Sequence, residues 1–190
     1  MFVDHFDWEV PLYRAVDHVM GASECASLIA RVTGESWLAA TVNGPDGRYR
    51  NEKIRDNDLA LVHDEALRDA LFTRLLPHLP PRMFGEALHS LHPSLRVYRY
   101  QVGQHFGAHS DQPYFDAEGR QSRLTLLVYL DAACVGGETA FLEIERRTGV
   151  VITPQVGRAL FFQQNLLHEG RPVTEGIKHV LRTDVIYAPD

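Results

Sequence analysis

Three side chains that could hold one metal ion stand out: His109 and Asp111, separated by a single residue, and the more distant His168, which follows an apolar segment. On a strand, residues i and i+2 point to the same face, so an imidazole and a carboxylate at this spacing can bind one ion. Two histidines and one carboxylate on one face of an octahedron are typical of non-haem Fe(II) sites, which keep positions open for other ligands. A structural zinc site would instead be closed by four ligands. The pattern therefore predicts an open iron site.

The elements that must position these residues change character near residues 89–94. Before this boundary we expect a largely helical half, with helices over 17–33 and 64–76; Ser23 is a possible cap of the first, and Asp64 caps the second. After it, the hydrophobic pattern changes to short strands separated by glycine and proline. The predicted strands are 95–100, 123–130, 150–153, 159–162 and 180–187. Short strands at this spacing predict a sandwich or a barrel.

Length and composition restrict the class of protein. A chain of 190 residues fits one domain. Its 45% hydrophobic and 23% charged residues are close to globular averages, which excludes a disordered or fibrous chain. The formal charge of −6 argues against nucleic acid or an anionic membrane as a partner.

Cysteine usage and the N-terminal residues bear on the compartment. Cys25 and Cys134 lie far apart without a CxxC motif, which excludes a disulfide scaffold and suits a reducing compartment. The N-terminal segment is acidic where a secretion signal needs basic residues, and no segment approaches the roughly 18 apolar residues of a membrane span. We therefore expect a cytoplasmic location without a membrane anchor.

Motifs of the second half occur in an order that is more specific than any one of them. They are Tyr98-Arg-Tyr100, Gly103, His109-Ser-Asp111, the segment 122–130, Gly136-Gly-Glu-Thr-Ala-Phe141, the segment 154–162 and the segment 168–178. Together they resemble the prolyl 4-hydroxylase-type 2-oxoglutarate/Fe(II) dioxygenases. The resemblance implies an α+β, mainly β fold, a double-stranded β-helix or jelly roll buttressed by N-terminal helices. It implies one domain over 1–190, with helical support and substrate-side strands in 1–93 and the catalytic barrel core in 94–190.

The same resemblance implies the roles of individual residues. Fe(II) is expected on His109, Asp111 and His168, with O₂ and 2-oxoglutarate as cosubstrates. Lys178, ten residues after His168, corresponds to the family's anchor for the distal carboxylate of 2-oxoglutarate. Tyr100 and Tyr129 correspond to tyrosines that line the 2-oxoglutarate pocket, and the Tyr129 hydroxyl is expected to be a second donor to that carboxylate.

Charge balance gives an independent reason to expect a buried cation. Fe(II), one aspartate and 2-oxoglutarate together carry one net negative charge, which is costly to bury. Lys178 and Arg182 are both candidates because i and i+4 share a strand face, but about 13 Å separates such Cα atoms. Arg182 is expected either to pair with Asp184 or another acid or to act near the cosubstrate or substrate; the sequence leaves both open.

A polar segment in the first half is a candidate for contact with the substrate. Arg55 and Asn57 precede the strand-like segment 59–62 and resemble the polar strand that faces the substrate in relatives. A solvated strand start explains the same residues equally well.

The leading functional hypothesis is an oxygenase that hydroxylates a C–H bond of a peptidyl residue, with proline as one candidate, or of a small molecule, forming succinate and CO₂. The first alternative is a non-catalytic jelly roll that senses or scaffolds a metal or ligand, but it gives no reason to keep three ligands and a counter-charge together. A zinc hydrolase on a similar barrel leaves Lys178 unexplained. The substrate and the oligomeric state are not determined by the sequence, because loops around a barrel mouth set specificity.

Overall fold

The computed structural model of the protein describes residues 12–34, 36–44, 47–143 and 148–190. Within these ranges there are two helices, α1 (Ala22–Thr33) and α2 (Glu65–Leu75), and seventeen strands. In chain order the strands are β1 (Tyr13–Val16), β2 (Leu38–Ala39), β3 (Val42–Gly44), β4 (Gly47–Tyr49), β5 (Asp58–Val62), β6 (Arg82–Met83), β7 (Glu86–Leu91), β8 (Leu95–Tyr100), β9 (Phe106–His109), β10 (Gln121–Tyr129), β11 (Cys134–Gly136), β12 (Thr139–Leu142), β13 (Thr148–Ile152), β14 (Ala159–Gln163), β15 (His168–Gly170), β16 (Val173–Gly176) and β17 (Lys178–Ala188).

Two antiparallel sheets form the body of the protein. The major sheet has the order β1-β14-β10-β17-β8-β5-β2, and β7 pairs with the far end of β17 and with β6. The minor sheet has the order β13-β12-β15-β9. The pairs β11-β16 and β3-β4 stand apart from both. Among the described strands the two sheets are not joined into a closed barrel.

Alternation along the strands divides the core into two layers. On β10, Leu124, Leu126 and Val128 are fully buried in the cluster that contains the apolar side chains of α1 and α2. Tyr129, on the other face, belongs to a second cluster that includes Phe141 of the minor sheet. Successive residues of a strand point to opposite faces, so the major sheet packs on helices with one face and on the minor sheet with the other.

Both predicted helices are present, and α2 begins as predicted. The Asp64 carboxylate accepts the backbone N–H of Leu67 at 2.8 Å, which is the N-cap interaction that the sequence indicated. Helix α1 begins at Ala22 rather than at residue 17, and Ser23 is not its cap. The preceding residues are held elsewhere, because the N–H groups of Val19 and Met20 both donate to the carbonyl of Gly157.

The expectation of a largely helical first half is wrong. Strands β1 to β7 all precede residue 92, and β1, β2, β5, β6 and β7 extend the major sheet. These strands are short and lie mostly at the margins of the sheet, where pairing with a core strand stabilises a weak local pattern. No helix in the described ranges is long and apolar enough to span a membrane.

Candidate active site

The three predicted metal ligands converge at the edge of the minor sheet. His109, the last residue of β9, and His168, the first of β15, are direct cross-strand partners. Asp111 lies beyond the end of β9, so the expectation that a strand aligns it with His109 is wrong; instead, its N–H donates to the carbonyl of Gln164 at 2.8 Å. One ligand atom from each of the three residues lies within 4.8 Å of the others.

Backbone carbonyls orient the two imidazoles toward the same point. Nδ1 of His109 lies 2.8 Å from the carbonyl oxygen of Gly107, and Nδ1 of His168 lies 2.9 Å from that of Leu166. With their protons on Nδ1, both rings present the lone pair of Nε2, and these atoms lie 3.7 and 3.8 Å from the Asp111 oxygens. Two neutral imidazoles and one carboxylate with room for further ligands fit Fe(II).

Electrostatics keep these groups in the protonation states that metal binding needs. Burial, with a further contribution from His168, lowers the pKa of His109 to about 3, and burial also lowers the pKa of His168. Burial alone would raise the pKa of Asp111, but its polar neighbours, Arg182 foremost, outweigh burial and the pKa is lowered. At neutral pH the site therefore contains two neutral imidazoles and one carboxylate.

Arg182 lies beside the metal ligands. Its Nη2 is 3.0 Å from Oδ1 of Asp111 and 3.3 Å from Oδ1 of Asp184. The other Asp111 oxygen accepts the Thr125 hydroxyl at 2.5 Å, and Gln164 Nε2 donates to Asp184 at 3.1 Å. The expected pair with Asp184 is present, and the guanidinium also fixes the orientation of the Asp111 carboxylate.

Lys178 is the first residue of β17, four residues before Arg182 on the same face of the strand, and is 3% exposed. Its Nζ donates to the carbonyl of Gly137 at 2.6 Å and lies 4.8 Å from the centre of the Tyr100 ring. No carboxylate in the described part of the chain is within ion-pair distance of it, and burial lowers its pKa to about 8. A buried ammonium without an anionic partner fits a ligand that brings its own carboxylate.

The two tyrosines of the predicted cosubstrate pocket are placed differently. Tyr100 is the cross-strand partner of Lys178 and lines the cavity, and burial raises its pKa to about 12, so it remains a neutral hydroxyl donor. Tyr129 is fully buried behind the cavity wall, and its hydroxyl donates to that of Thr139 at 2.8 Å. The expected direct contact of Tyr129 with the cosubstrate is therefore not supported; Thr139 lines the cavity in its place.

Arg55 and Asn57, the two predicted substrate residues, also differ in their position relative to the cavity. Arg55 lines the cavity, and its guanidinium lies between the rings of Tyr98 and Phe106, with Cζ 4.4 and 4.3 Å from their centres. Asn57 is 1% exposed and is not part of the cavity wall. Its Oδ1 accepts Nε of Arg55 at 2.7 Å, so Asn57 holds Arg55 rather than facing a substrate as expected.

A single cavity of about 580 Å³ connects the three ligands, Lys178 and Arg55, a size typical of small-molecule and cofactor sites. Sequence reasoning missed four of its lining residues: His92, Arg96, Thr125 and Thr139. Thr139 lies within the Gly136–Phe141 motif, and Thr125 alternates with the apolar residues of β10, so both carried a signal. His92 and Arg96 carried none. Contacts with β17 bring them to the cavity: the His92 N–H donates to the Asp184 carbonyl, and Arg96 is the cross-strand partner of Arg182.

Comparison with known proteins agrees with this geometry. Residues 95–183 match the family model described as the 2OG-Fe(II) oxygenase superfamily. A probable prolyl 4-hydroxylase 11 of Arabidopsis thaliana is 42% identical over 72 residues, covering 36% of this chain and 24% of that protein. A probable prolyl 4-hydroxylase 3 from the same plant is 25% identical over 200 residues, covering 90% of this chain and 67% of that protein. The chain thus spans about a quarter of the first relative and about two thirds of the second.

A solved structure confirms the fold. The prolyl hydroxylase of Trichoplax adhaerens, in complex with a peptide fragment of the hypoxia inducible factor oxygen degradation domain, superposes with a TM-score of 0.69. It is 18% identical, and the alignment covers 91% of this chain and 82% of that one. The predicted mainly β, jelly-roll class is therefore confirmed.

The geometry of the site and the match of residues 95–183, just under half of the chain, both point to a 2-oxoglutarate/Fe(II) oxygenase domain. The curated relatives and the solved structure that this chain is similar to are prolyl hydroxylases, the type that its motifs resemble. Proteins of this superfamily use Fe(II), 2-oxoglutarate and O₂.

Proposed function

We propose that the protein is a 2-oxoglutarate- and Fe(II)-dependent hydroxylase that acts on a peptidyl residue, with proline as the leading candidate. The observation that carries the proposal is the content of one cavity: an open His-Asp-His set and a buried lysine without a carboxylate partner in the described chain. A non-catalytic sensor would need a ligand site but not this combination.

The metal would be held by Nε2 of His109 and His168 and by one oxygen of Asp111. When bound, Fe(II) would allow O₂ to give one oxygen atom to 2-oxoglutarate, which becomes succinate and CO₂, and the other to a substrate C–H bond, which becomes C–OH. Both oxygens of Asp111 already accept hydrogen bonds, from Arg182 and Thr125. These contacts fix the carboxylate before the metal arrives, which favours correct geometry.

The cosubstrate would lie between the metal ligands and Lys178. The Lys178 ammonium would pair with its distal carboxylate, while the hydroxyls of Tyr100 and Thr139 supply further hydrogen bonds. The Tyr129 hydroxyl, which donates a hydrogen bond to the Thr139 hydroxyl, would orient that hydroxyl toward the cosubstrate. With one lysine opposite the distal carboxylate, the buried charges of iron, Asp111, cosubstrate and Lys178 sum to zero, which lowers the cost of burial.

Aromatic side chains pack against the two metal-binding imidazoles. The Phe106 ring stacks on His109 with centres 3.5 Å apart, and the Phe162 ring meets His168 edge-on at 4.5 Å. These contacts restrict the orientations of the two imidazoles.

The substrate would approach from the side of the cavity lined by Arg55. The relatives are prolyl hydroxylases, and one solved neighbour is bound to a peptide. We further propose that residues 1–190 form one such domain, with 1–93 as support and 94–190 as the catalytic core. A cytoplasmic location is consistent with the two free cysteines.

Succinate formation tests the proposal directly. The protein is incubated with Fe(II), 2-oxoglutarate and panels of proline-containing peptides and small metabolites, and succinate and a 16-dalton increase of the substrate are measured by mass spectrometry. Asp111→Ala should abolish both. Arg14→Gln, which changes an exposed charge of β1 far along the chain from the ligands, is the matched control. Tight 2-oxoglutarate binding by the iron-loaded protein without any succinate would support the sensor alternative.

A further inference from the structure

Arg55 is held rigidly on the cavity wall. Its guanidinium is sandwiched between Tyr98 and Phe106, and Asn57 accepts its Nε. The backbone of this segment is also fixed, because Arg55 and Phe106 form an isolated antiparallel β-bridge and the Gly107 N–H donates to the Ile54 carbonyl at 2.7 Å. A guanidinium immobilised in this way loses little further entropy when it binds an anion.

The same guanidinium has no anionic partner in the described part of the chain. Its two acidic neighbours in sequence are engaged elsewhere: Asp56 accepts the N–H of His105, and Asp58 pairs with Arg99 at 2.8 Å. Nη2 of Arg55 is buried and has no hydrogen-bond partner. Partly buried arginines normally pair with a carboxylate, so an unpaired one on a cavity wall indicates that a ligand supplies it.

The charges of the cavity wall lead to the same conclusion. The wall contains four cations and three carboxylates; these are Arg55, Arg96, Lys178, Arg182, Asp111, Glu169 and Asp184. Fe(II) and 2-oxoglutarate carry opposite charges of equal size, so their binding leaves the excess of one positive charge unchanged. Arg182 is matched by Asp111 and Asp184, and Arg96 lies 3.7 Å from Asp184. The third carboxylate, Glu169, lies 3.6 Å from Arg171, which is not part of the wall. With Lys178 matched by the cosubstrate, Arg55 is the cation that remains.

We propose that Arg55 binds a carboxylate of the substrate, so that the enzyme selects substrates with a negative charge next to the hydroxylated residue. The proposal rests on the hydroxylase function above and specifies its substrate class. The free edge of a guanidinium matches a carboxylate in shape and charge, which a backbone carbonyl does not. The carboxylate could belong to the C-terminus of a peptide or to a neighbouring acidic side chain, and both present the same chemistry.

Four short fluorescent peptides, each with one proline, distinguish a C-terminal carboxylate from that of a neighbouring acidic side chain. One pair ends in proline as a free carboxylate or as an amide, and the other has Glu or Gln next to an internal proline. Dissociation constants are measured by fluorescence anisotropy on the protein loaded with Fe(II) and 2-oxoglutarate without oxygen. We expect the charged member of one pair to bind about ten- to a hundredfold more tightly, as expected for a charge-assisted hydrogen bond.

Three variants assign that preference to Arg55. Arg55→Gln should remove it by weakening only the charged peptide, and Arg55→Lys should restore part of it, since charge returns without the planar fork. Lys53→Gln, an equal loss of charge on the same segment at an exposed residue outside the cavity wall, should keep the full preference.

The proposal is overturned by equal binding within both pairs or by a preference that survives in Arg55→Gln. Failure of all four peptides to bind, while the wild-type protein still converts 2-oxoglutarate to succinate, would also overturn it and leave the oxygenase function standing. Absence of iron-dependent succinate formation would instead contradict the hydroxylase function itself.

Discussion

Replacing Lys178 by methionine removes the ammonium while keeping most of the volume of the side chain. In the protein the Nζ atom has one hydrogen-bond partner, the Gly137 carbonyl, and the side chain is 3% exposed. The distal carboxylate of 2-oxoglutarate would then be buried without a counter-charge, which costs about 3–5 kcal/mol. At about 1.4 kcal/mol per factor of ten, we expect the 2-oxoglutarate dissociation constant to rise by roughly two to three powers of ten.

Isothermal titration calorimetry under nitrogen, with Fe(II) bound, measures this constant directly. Arg182→Met is the matched control, since it removes a cation four residues further along the same strand face. Because Arg182 contacts Asp111, its loss should weaken metal binding and change 2-oxoglutarate affinity less. If Arg182→Met proves more damaging to 2-oxoglutarate affinity while Lys178→Met binds like the wild type, the assignment of Lys178 as the anchor is wrong.

Three further predictions concern pH, the metal and stability. Burial lowers the pKa of Lys178 to about 8, so the cosubstrate-free protein loses the ammonium proton above that pH. The 2-oxoglutarate dissociation constant should therefore be constant below pH 8 and rise by up to about tenfold per pH unit above it. The Lys178→Met variant should show no such rise. Arg182→Met should weaken binding of Co(II) or Zn(II) to the metal-free protein by about ten- to a hundredfold, with partial recovery in Arg182→Lys, and an unchanged affinity would show that Asp111 needs no such support. Gly157→Ala should lower the free energy of unfolding, measured in urea titrations, by about 2–4 kcal/mol, because φ is +74° and the new Cβ would lie 1.9 Å from a backbone carbonyl oxygen. Gly119→Ala is the control: its φ is +79° but no atom lies nearer than 3.9 Å to the new Cβ, so it should lower that free energy by only about 1–2 kcal/mol.

The local sequence pattern was sufficient to predict those elements that are specified by residues within their own segment. The predicted strand 95–100 coincides with β8, and 159–162 and 180–187 lie within β14 and β17. Helix α2 was predictable because its cap and its buried face lie within one short segment. The metal triad was predictable because the types and order of its residues are specific even when their distances are unknown.

The weak strands of the first half could not be predicted in this way. Strand β1 is four residues long and pairs with β14, nearly 150 positions away in the chain. Its stability comes from that partner and not from its own hydrophobic pattern. The same holds for β5, which acquires its place beside β8 only when the sheet assembles.

The sequence by itself determined the fold class, the triad and the presence of two cations on one strand face. Only the tertiary structure decided that Arg182 and not Lys178 pairs with Asp111, because β9 ends before Asp111 and the following loop brings that carboxylate to Arg182 and leaves Lys178 beside the Gly137 carbonyl. It also placed Thr139 in front of the Tyr129 hydroxyl. Each of these outcomes depends on contacts between segments remote in the chain, whose relative positions are set by sheet packing and by loops rather than by local residue pattern.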